Sequence, residues 1–213
     1  MQIGSSDNGA ITLNGAITTD GAVTIDGPIT LATAAITITT ADDNINLQGT
    51  VDGNKALTLA SGSGAVTADG TIGSTTALTS LTVNSSGAGT IEINDVGTAS
   101  AAGVTGATAI GNTSTGTLTL DGTVYTTNAA TYTAATGGGN IDITGAATFT
   151  TSADAIDFNT SGVDLAANVA ITTGTGTDAG AVSFGGAIEA DTAGQETLTI
   201  DSGAGSVTFT GAI

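Results

Sequence analysis

Residues 9–29 read Gly9-Ala-Ile-Thr-Leu-Asn-Gly-Ala-Ile-Thr-Thr-Asp-Gly-Ala-Val-Thr-Ile-Asp-Gly-Pro-Ile29, and one nine-residue pattern occurs twice within them. It runs glycine, any residue, an aliphatic, Thr/Ser/Asp, a second apolar residue, any residue, glycine, any residue, an apolar residue. In Ile11-Thr12-Leu13 a period of two sends Ile and Leu to one side of a strand and Thr to the other. The Asn-Gly or Asp-Gly that follows reads as a bend, with glycine supplying positive φ at no steric cost. Ile17, four residues after Leu13, then opens another short strand.

The pattern returns at residues 64–72, 116–124, 139–147, 180–188 and 205–213, and in a form one residue shorter at 89–96. A longer match joins Leu57-Thr-Leu-Ala-Ser-Gly-Ser-Gly-Ala-Val-Thr-Ala-Asp-Gly-Thr-Ile72 to Leu198-Thr-Ile-Asp-Ser-Gly-Ala-Gly-Ser-Val-Thr-Phe-Thr-Gly-Ala-Ile213. Internal repetition on this scale is the mark of a repeat architecture. Strands of three to five residues punctuated by glycine are too short for a sandwich, whose turns come every 8–12 residues or so. They suit a coil in which each strand pairs with its equivalents one turn above and below.

The fold expected is all-β: a right-handed parallel β-helix (β-solenoid). About 18–25 residues per turn would give roughly ten turns and a rod on the order of 50 Å long. A left-handed coil is the alternative, because Ile11, Ile17, Val23 and Ile29 fall six residues apart. That spacing drifts at Ile36, Ile45, Val51 and Leu57, which favours the right-handed form. No linker divides residues 1–213, which read as a single array. Residues 97–116 and 170–180 are the weakest repeat regions and read as wide loops. Neither end shows the polar cap a solenoid needs, so the chain reads as a piece of a longer array or as a subunit stacking end to end with copies of itself.

Composition narrows the function. Among 213 residues there are 19 Asp plus Glu, one basic residue (Lys55), and no His, Cys or Trp, for a net charge of −18. A phosphate clamp and nucleic-acid binding both need Lys and Arg, so neither is expected. Without His and Cys the usual general base, the thiolate nucleophile and most zinc, copper or haem ligands are missing. Only 9% of residues are charged, and Thr, about one in five, supplies much of the polar surface. Mean hydropathy is +0.32 and Ile, Val and Leu recur throughout, so the chain is expected to be ordered despite its charge. No apolar stretch reaches the roughly 18 residues of a membrane helix, and residues 1–10 carry no secretion-signal pattern.

Residues 57–72 followed by Gly73-Ser-Thr-Thr-Ala-Leu-Thr-Ser-Leu-Thr-Val83 resemble the repeats of large bacterial surface proteins of the filamentous-haemagglutinin type. The resemblance covers most of the chain as repeat style and is specific from about Leu57 to Val83. It implies a secreted, right-handed β-helical stalk at the cell surface, with no catalytic or ligand-binding residue. The secretion domain of such adhesins is not recognisable here.

Carboxylates are the only reactive groups in number. Asp20, Asp26, Asp52, Asp69 and Asp121 sit beside turn glycines, where their expected role is to accept hydrogen bonds from turn amides. Calcium is the alternative. Gly137-Gly-Gly-Asn-Ile-Asp142-Ile approaches a calcium-binding β-roll motif, with Asn140 in place of a glycine and Ile143 one place early. Asp42-Asp43 and the pair Asp154 and Asp157 are further conceivable cation sites. That pair could also serve glycoside hydrolysis, but two Tyr and one Lys are poor material for a sugar site. No catalytic, cofactor-binding or metal residue is therefore assigned, and no cofactor is expected. The pairs Thr37/Thr39, Thr117/Thr119, Thr131/Thr133 and Thr197/Thr199 could meet ice if they stacked on successive turns, but in sequence they are scattered. Phe149, Phe158, Phe184 and Phe209 read as core, and Tyr125 and Tyr132 as half-buried rings with wet hydroxyls.

The function expected is a non-catalytic, structural rod segment of a secreted bacterial cell-surface adhesin or extracellular fibre. The alternatives are a self-assembling filament subunit and a solenoid that binds ice, calcium or glycan. The expected partners are neighbouring repeats, copies of itself or surface glycans.

Overall fold

The computed structural model describes residues 1–4, 9–33, 35–87, 89–135, 138–160, 162–192 and 194–213. It is a β-solenoid of nine stacked rungs, eight full turns from first to last. Each rung visits three faces in the same order. The first face is a nine-stranded sheet of Gln2–Gly4, Val23–Asp26, Ile45–Leu47, Val66–Ala68, Ile91–Ile93, Leu118–Leu120, Asn140–Ile143, Gly162–Leu165 and Ala187–Ala190. The second holds Ile11–Leu13, Ile29–Leu31 and Val51–Asp52, then Val124–Thr126, Thr148–Thr150, Val169–Gly174 and Leu198–Ser202. Single bridges from Val51 to Ile72, Val96 and Tyr125 join its two halves. The third is again nine-stranded: Ile17–Thr19, Ala35–Thr40, Ala56–Ala60, Ser80–Asn84, Thr108–Ile110, Ala130–Thr133, Ile156–Asn159, Val182–Phe184 and Val207–Phe209. Strand pairing in all three faces is parallel, and among the described residues there is no helix.

Alternation places the core. On the first face Val23, Ile45, Val66, Ile91, Leu118, Ile141, Val163 and Ile188 stack in one inner column. All are buried. Thr24, Asn46, Thr67, Glu92 and Thr119 alternate with them on the outside. Each buried aliphatic contributes about 1.5–3 kcal/mol, and backbone hydrogen bonds between rungs satisfy the polar groups that burial takes from water. On the last rung Val207 and Phe209 continue the columns of Val182 and Phe184. On this last described rung they are 39% and 38% exposed.

The glycines of the repeat act differently from the expectation. Gly27 and Gly53 do have left-handed φ, at 137° and 129°. Gly49, Gly70 and Gly145 do not; their constraint is the turn below. A Cβ on Gly49 would stand 2.2 Å from the Gly27 carbonyl oxygen, and one on Gly70 2.3 Å from the Gly49 carbonyl carbon. In the first turn the same Cβ on Gly9, Gly15 or Gly21 would meet nothing within 4 Å. Corners are closed from inside by hydroxyls. Ser61 Oγ donates to the Gly64 carbonyl at 2.6 Å, and Ser202 Oγ to the Gly205 carbonyl at 2.9 Å. Gly64 N and Gly205 N donate back to the Ser61 and Ser202 carbonyls.

Those two corners sit in the long internal match, yet its copies occupy different faces. Residues 57–72 run third face, first face, second face, whereas residues 198–213 begin on the second. The unit therefore encodes strand, corner and strand, not a particular face. The turns number fewer than ten because most lie toward the long end of the expected range and one exceeds it. Val66 pairs with Ile91 and Ile91 with Leu118, steps of 25 and 27 residues, so the rod is roughly 40 Å long. The step from Ile91 takes in the wide corner foreseen at 97–116, although Thr108–Ile110 within it is a strand. Residues 170–173, expected to be loop, are instead strand, with Ile171 and Thr173 buried. Only residues 175–179 form an exposed loop there.

Candidate functional site

The three faces differ in what they show to solvent. The central outward column of the first face turns acidic toward the last rungs, where Asp142, Asp164 and Glu189 stand directly above one another. Asn140 Nδ2 donates to Asp164 Oδ2 at 2.7 Å. With Asp191, Thr144 and Ala166 the two aspartates line a cleft of about 150 Å³. Partial burial, then the Asp164 carboxylate and its hydrogen bond, then the Asp191 charge push the Asp142 carboxyl above its ordinary value. At rung spacing two carboxylates repel, and a proton shared between them relieves this.

Asp52 shows the opposite arrangement. Its Oδ1 accepts from Thr75 N at 2.7 Å and Thr76 N at 2.9 Å, and its Oδ2 from Ser74 Oγ at 2.9 Å. Burial alone would raise this carboxyl, but the hydrogen bonds outweigh it and hold the group below its ordinary value. Asp95 Oδ1 likewise accepts from Thr123 N and Val124 N, and Asp42 Oδ1 from Ser63 N. These amides lie 21–29 residues ahead, on the next turn. The side chains clamp one rung to the next instead of closing their own turn. Of the five aspartates expected in a turn-amide role, Asp52 fills it in this altered form. Asp20, Asp26, Asp69 and Asp121 make no such bond among the described residues. Asp42, read from sequence only as a conceivable cation ligand, and Asp95 take the same role, with partners a full turn away.

The calcium-like stretch is not brought together as a loop. Gly137 lies outside the described residues, and Asn140–Ile143 is a strand whose Asp142 faces Asp164. Asp157 is an outward residue of the third face and accepts from Ser183 Oγ at 2.6 Å. Asp154 sits in the preceding corner, its main-chain carbonyl taking the Thr151 hydroxyl at 2.5 Å. Asp43 likewise receives the Thr40 hydroxyl on its main-chain carbonyl. Among the described residues no group of three or more His, Cys, Asp or Glu is placed to hold a metal ion.

The tyrosines overturn the expectation of wet hydroxyls, since both rings are fully buried in the lumen. Tyr125 replaces the aliphatic of its column, its hydroxyl accepting from Gly122 N and donating to the Ile93 carbonyl, both at 2.9 Å. Tyr132 occupies the column of Ile110, and its hydroxyl has no partner. The signal was present in the sequence, because both stand at inward positions of the alternation. The paired threonines scatter over the faces as the sequence implied: Thr119 on the first, Thr199 on the second, Thr37/Thr39 and Thr131/Thr133 on the third. Single threonines do align, however. Thr37, Thr58 and Thr82 form one outward column of the third face.

No helix among the described residues is long and apolar enough to cross a membrane. Comparison of the chain with protein-family models, with curated proteins and with solved structures finds no match.

Proposed function

We propose that the chain is a non-catalytic structural rod segment of a secreted bacterial adhesin or extracellular fibre, held at the cell surface. The observation that carries this reading is the inner column of the first face, buried without a break from Val23 to Ile188. A coil hydrogen-bonded rung to rung along its axis resists stretching and leaves few backbone sites for a protease. With Lys55 as its only basic residue, the chain offers trypsin one cleavage position. A net charge of −18 keeps such rods from adhering to one another indiscriminately. The hydroxyl-closed corners and the carboxylate clamps between turns serve the same mechanical end.

Two measurements test the proposal. Antibody against the chain should label intact producing cells, and the label should vanish when surface proteins are stripped. The isolated chain should also resist elastase at 25 °C for hours. Labelling only after lysis would remove the surface role, and rapid cleavage within the rungs would remove the rod.

A further inference from the structure

The outer surface of the third face contrasts with the acidic column of the first. Across its first six strands, Ile17–Thr19 through Ala130–Thr133, no outward position carries a charge, although the chain has 19 acidic residues. Lys55 stands just outside the edge of this surface. The first face, by comparison, shows Glu92, Asp142, Asp164 and Glu189 in its central column.

Strand pairing fixes what does project. The central column is Thr37, Thr58, Thr82, Ala109 and Thr131, and a second column beside it holds Thr18, Thr39, Ala60 and Asn84. Asn84 is the largest outward side chain among them. None of the pairings between these six strands carries a register shift, unlike the second face between Thr172 and Gly174. The surface is a regular grid of hydroxyls and methyls, spaced about 4.8 Å along the rod and about 6.6 Å along each strand.

We propose that this grid is an ice-binding plane. An uncharged surface in so acidic a chain gives ions and basic partners nothing to pair with. It also lacks the exposed aromatic rings that sugars stack on, since both tyrosines are buried. What remains is a lattice built mostly of hydroxyls that donate and accept hydrogen bonds, with methyls filling the spaces between. Water held in an ordered lattice has matching chemistry at every hydroxyl, whereas a folded partner protein would need relief to grip. Each contact is weak, but the grid is fixed by rung-to-rung hydrogen bonding, so little ordering entropy opposes their sum. This function is independent of the rod's location, and a rod carrying it would still be a rod.

The experiment is ice-crystal shaping and recrystallisation inhibition by the full chain, alongside Thr58→Tyr at the centre of the grid and Thr67→Tyr on the first face. Shaping by the wild type and by Thr67→Tyr, with at least a tenfold loss in Thr58→Tyr at unchanged circular dichroism, is the expected result. Thr82→Lys, which adds a charge without a ring, should reproduce the loss if Thr58→Tyr fails to fold. Unshaped crystals with wild-type protein, or equal activity in Thr58→Tyr and Thr67→Tyr, would overturn the proposal. So would retention on microcrystalline cellulose, or self-association through this face, without any effect on ice.

Discussion

The two ends of the lumen are filled by different chemistry on the same backbone. Along one inner column of the third face the first five rungs place Ile17, Ile38, Leu59, Val83 and Ile110, and the last four Tyr132, Phe158, Phe184 and Phe209. The rings stack with centroids 5.3, 4.8 and 5.3 Å apart and planes within 20° of parallel. Tyr125 and Phe149 on the second face add a second stack at 4.7 Å, edge-on to the first. Rung spacing in a parallel sheet is about 4.8 Å, close to the stacking distance of aromatic rings, so one ring per rung stacks without distortion. In the neighbouring column Leu81 gives way to Thr108 and Ala130 where the rings begin, and Ile156 and Val182 return beside Phe158 and Phe184. The coil thus fixes the spacing of its fill but not its identity.

The largest effect should come from removing the middle of the ring stack. Phe158 lies between Tyr132 and Phe184, so Phe158→Ala loses burial, leaves a cavity and breaks two stacked pairs. The expected cost is about 3–5 kcal/mol, with about 2–5 kcal/mol for Leu59→Ala at the equivalent aliphatic position. Denaturant unfolding of both variants decides the point. A cost for Leu59→Ala equal to or above that of Phe158→Ala would show that the rings add nothing beyond their area. The reverse exchange, Leu59→Phe, places a ring where Leu57 and Leu81 still fill the adjoining column. Overpacking should cost about 1–3 kcal/mol, and a neutral result would show that the aliphatic end already has room for a ring.

Within the aromatic end, the two tyrosines should respond with opposite sign. Tyr132 and Thr108 each bury a hydroxyl oxygen that has no partner, and such groups are costly. Tyr132→Phe and Thr108→Val should therefore raise the unfolding free energy by about 1 kcal/mol each. Tyr125→Phe should lower it by a similar amount, because Gly122 N and the Ile93 carbonyl lose their partner. Destabilisation by Tyr132→Phe would mean that its hydroxyl is satisfied in solution.

The strands and the inward residues were legible because alternation is local: Ile11-Thr12-Leu13 or Val66-Thr67-Ala68 declares its two sides within three residues. The columns were not legible, because they depend on which residue lies one turn below. Gly49 looks like a bend residue in sequence and is in fact a contact with Gly27. Asp52 looks like a cap for its own turn and instead reaches Thr75 and Thr76. The copies at 57–72 and 198–213 could not reveal that they lie on different faces, since the unit carries no mark of face. The uncharged part of the third face is hidden in the sequence for the same reason: Thr37, Thr58 and Thr82 become neighbours only when turns of unequal length are stacked.

The smallest expected effects separate the two ends by pH. Asp142, at the aromatic end, has its carboxyl raised above the ordinary 3.8 in the folded protein. Its contribution to stability is fully present below that value and is lost as pH rises through the folded one. Asp52, at the aliphatic end, is lowered from 3.8. Its contribution is present above that value and is lost as pH falls through the folded one. Asp142→Asn should therefore be more stable than the wild type at pH 7, with the gain vanishing near pH 3. Asp52→Ala should be less stable at pH 7, with the deficit closing only in stronger acid. Parallel pH dependences in the two variants would mean that both carboxylates respond to the net charge of −18 and not to their own partners. The two can be told apart because salt screens the long-range field much more than the direct hydrogen bonds of Asp52. Raising ionic strength at pH 7 should shrink the Asp142→Asn gain and leave most of the Asp52→Ala loss in place.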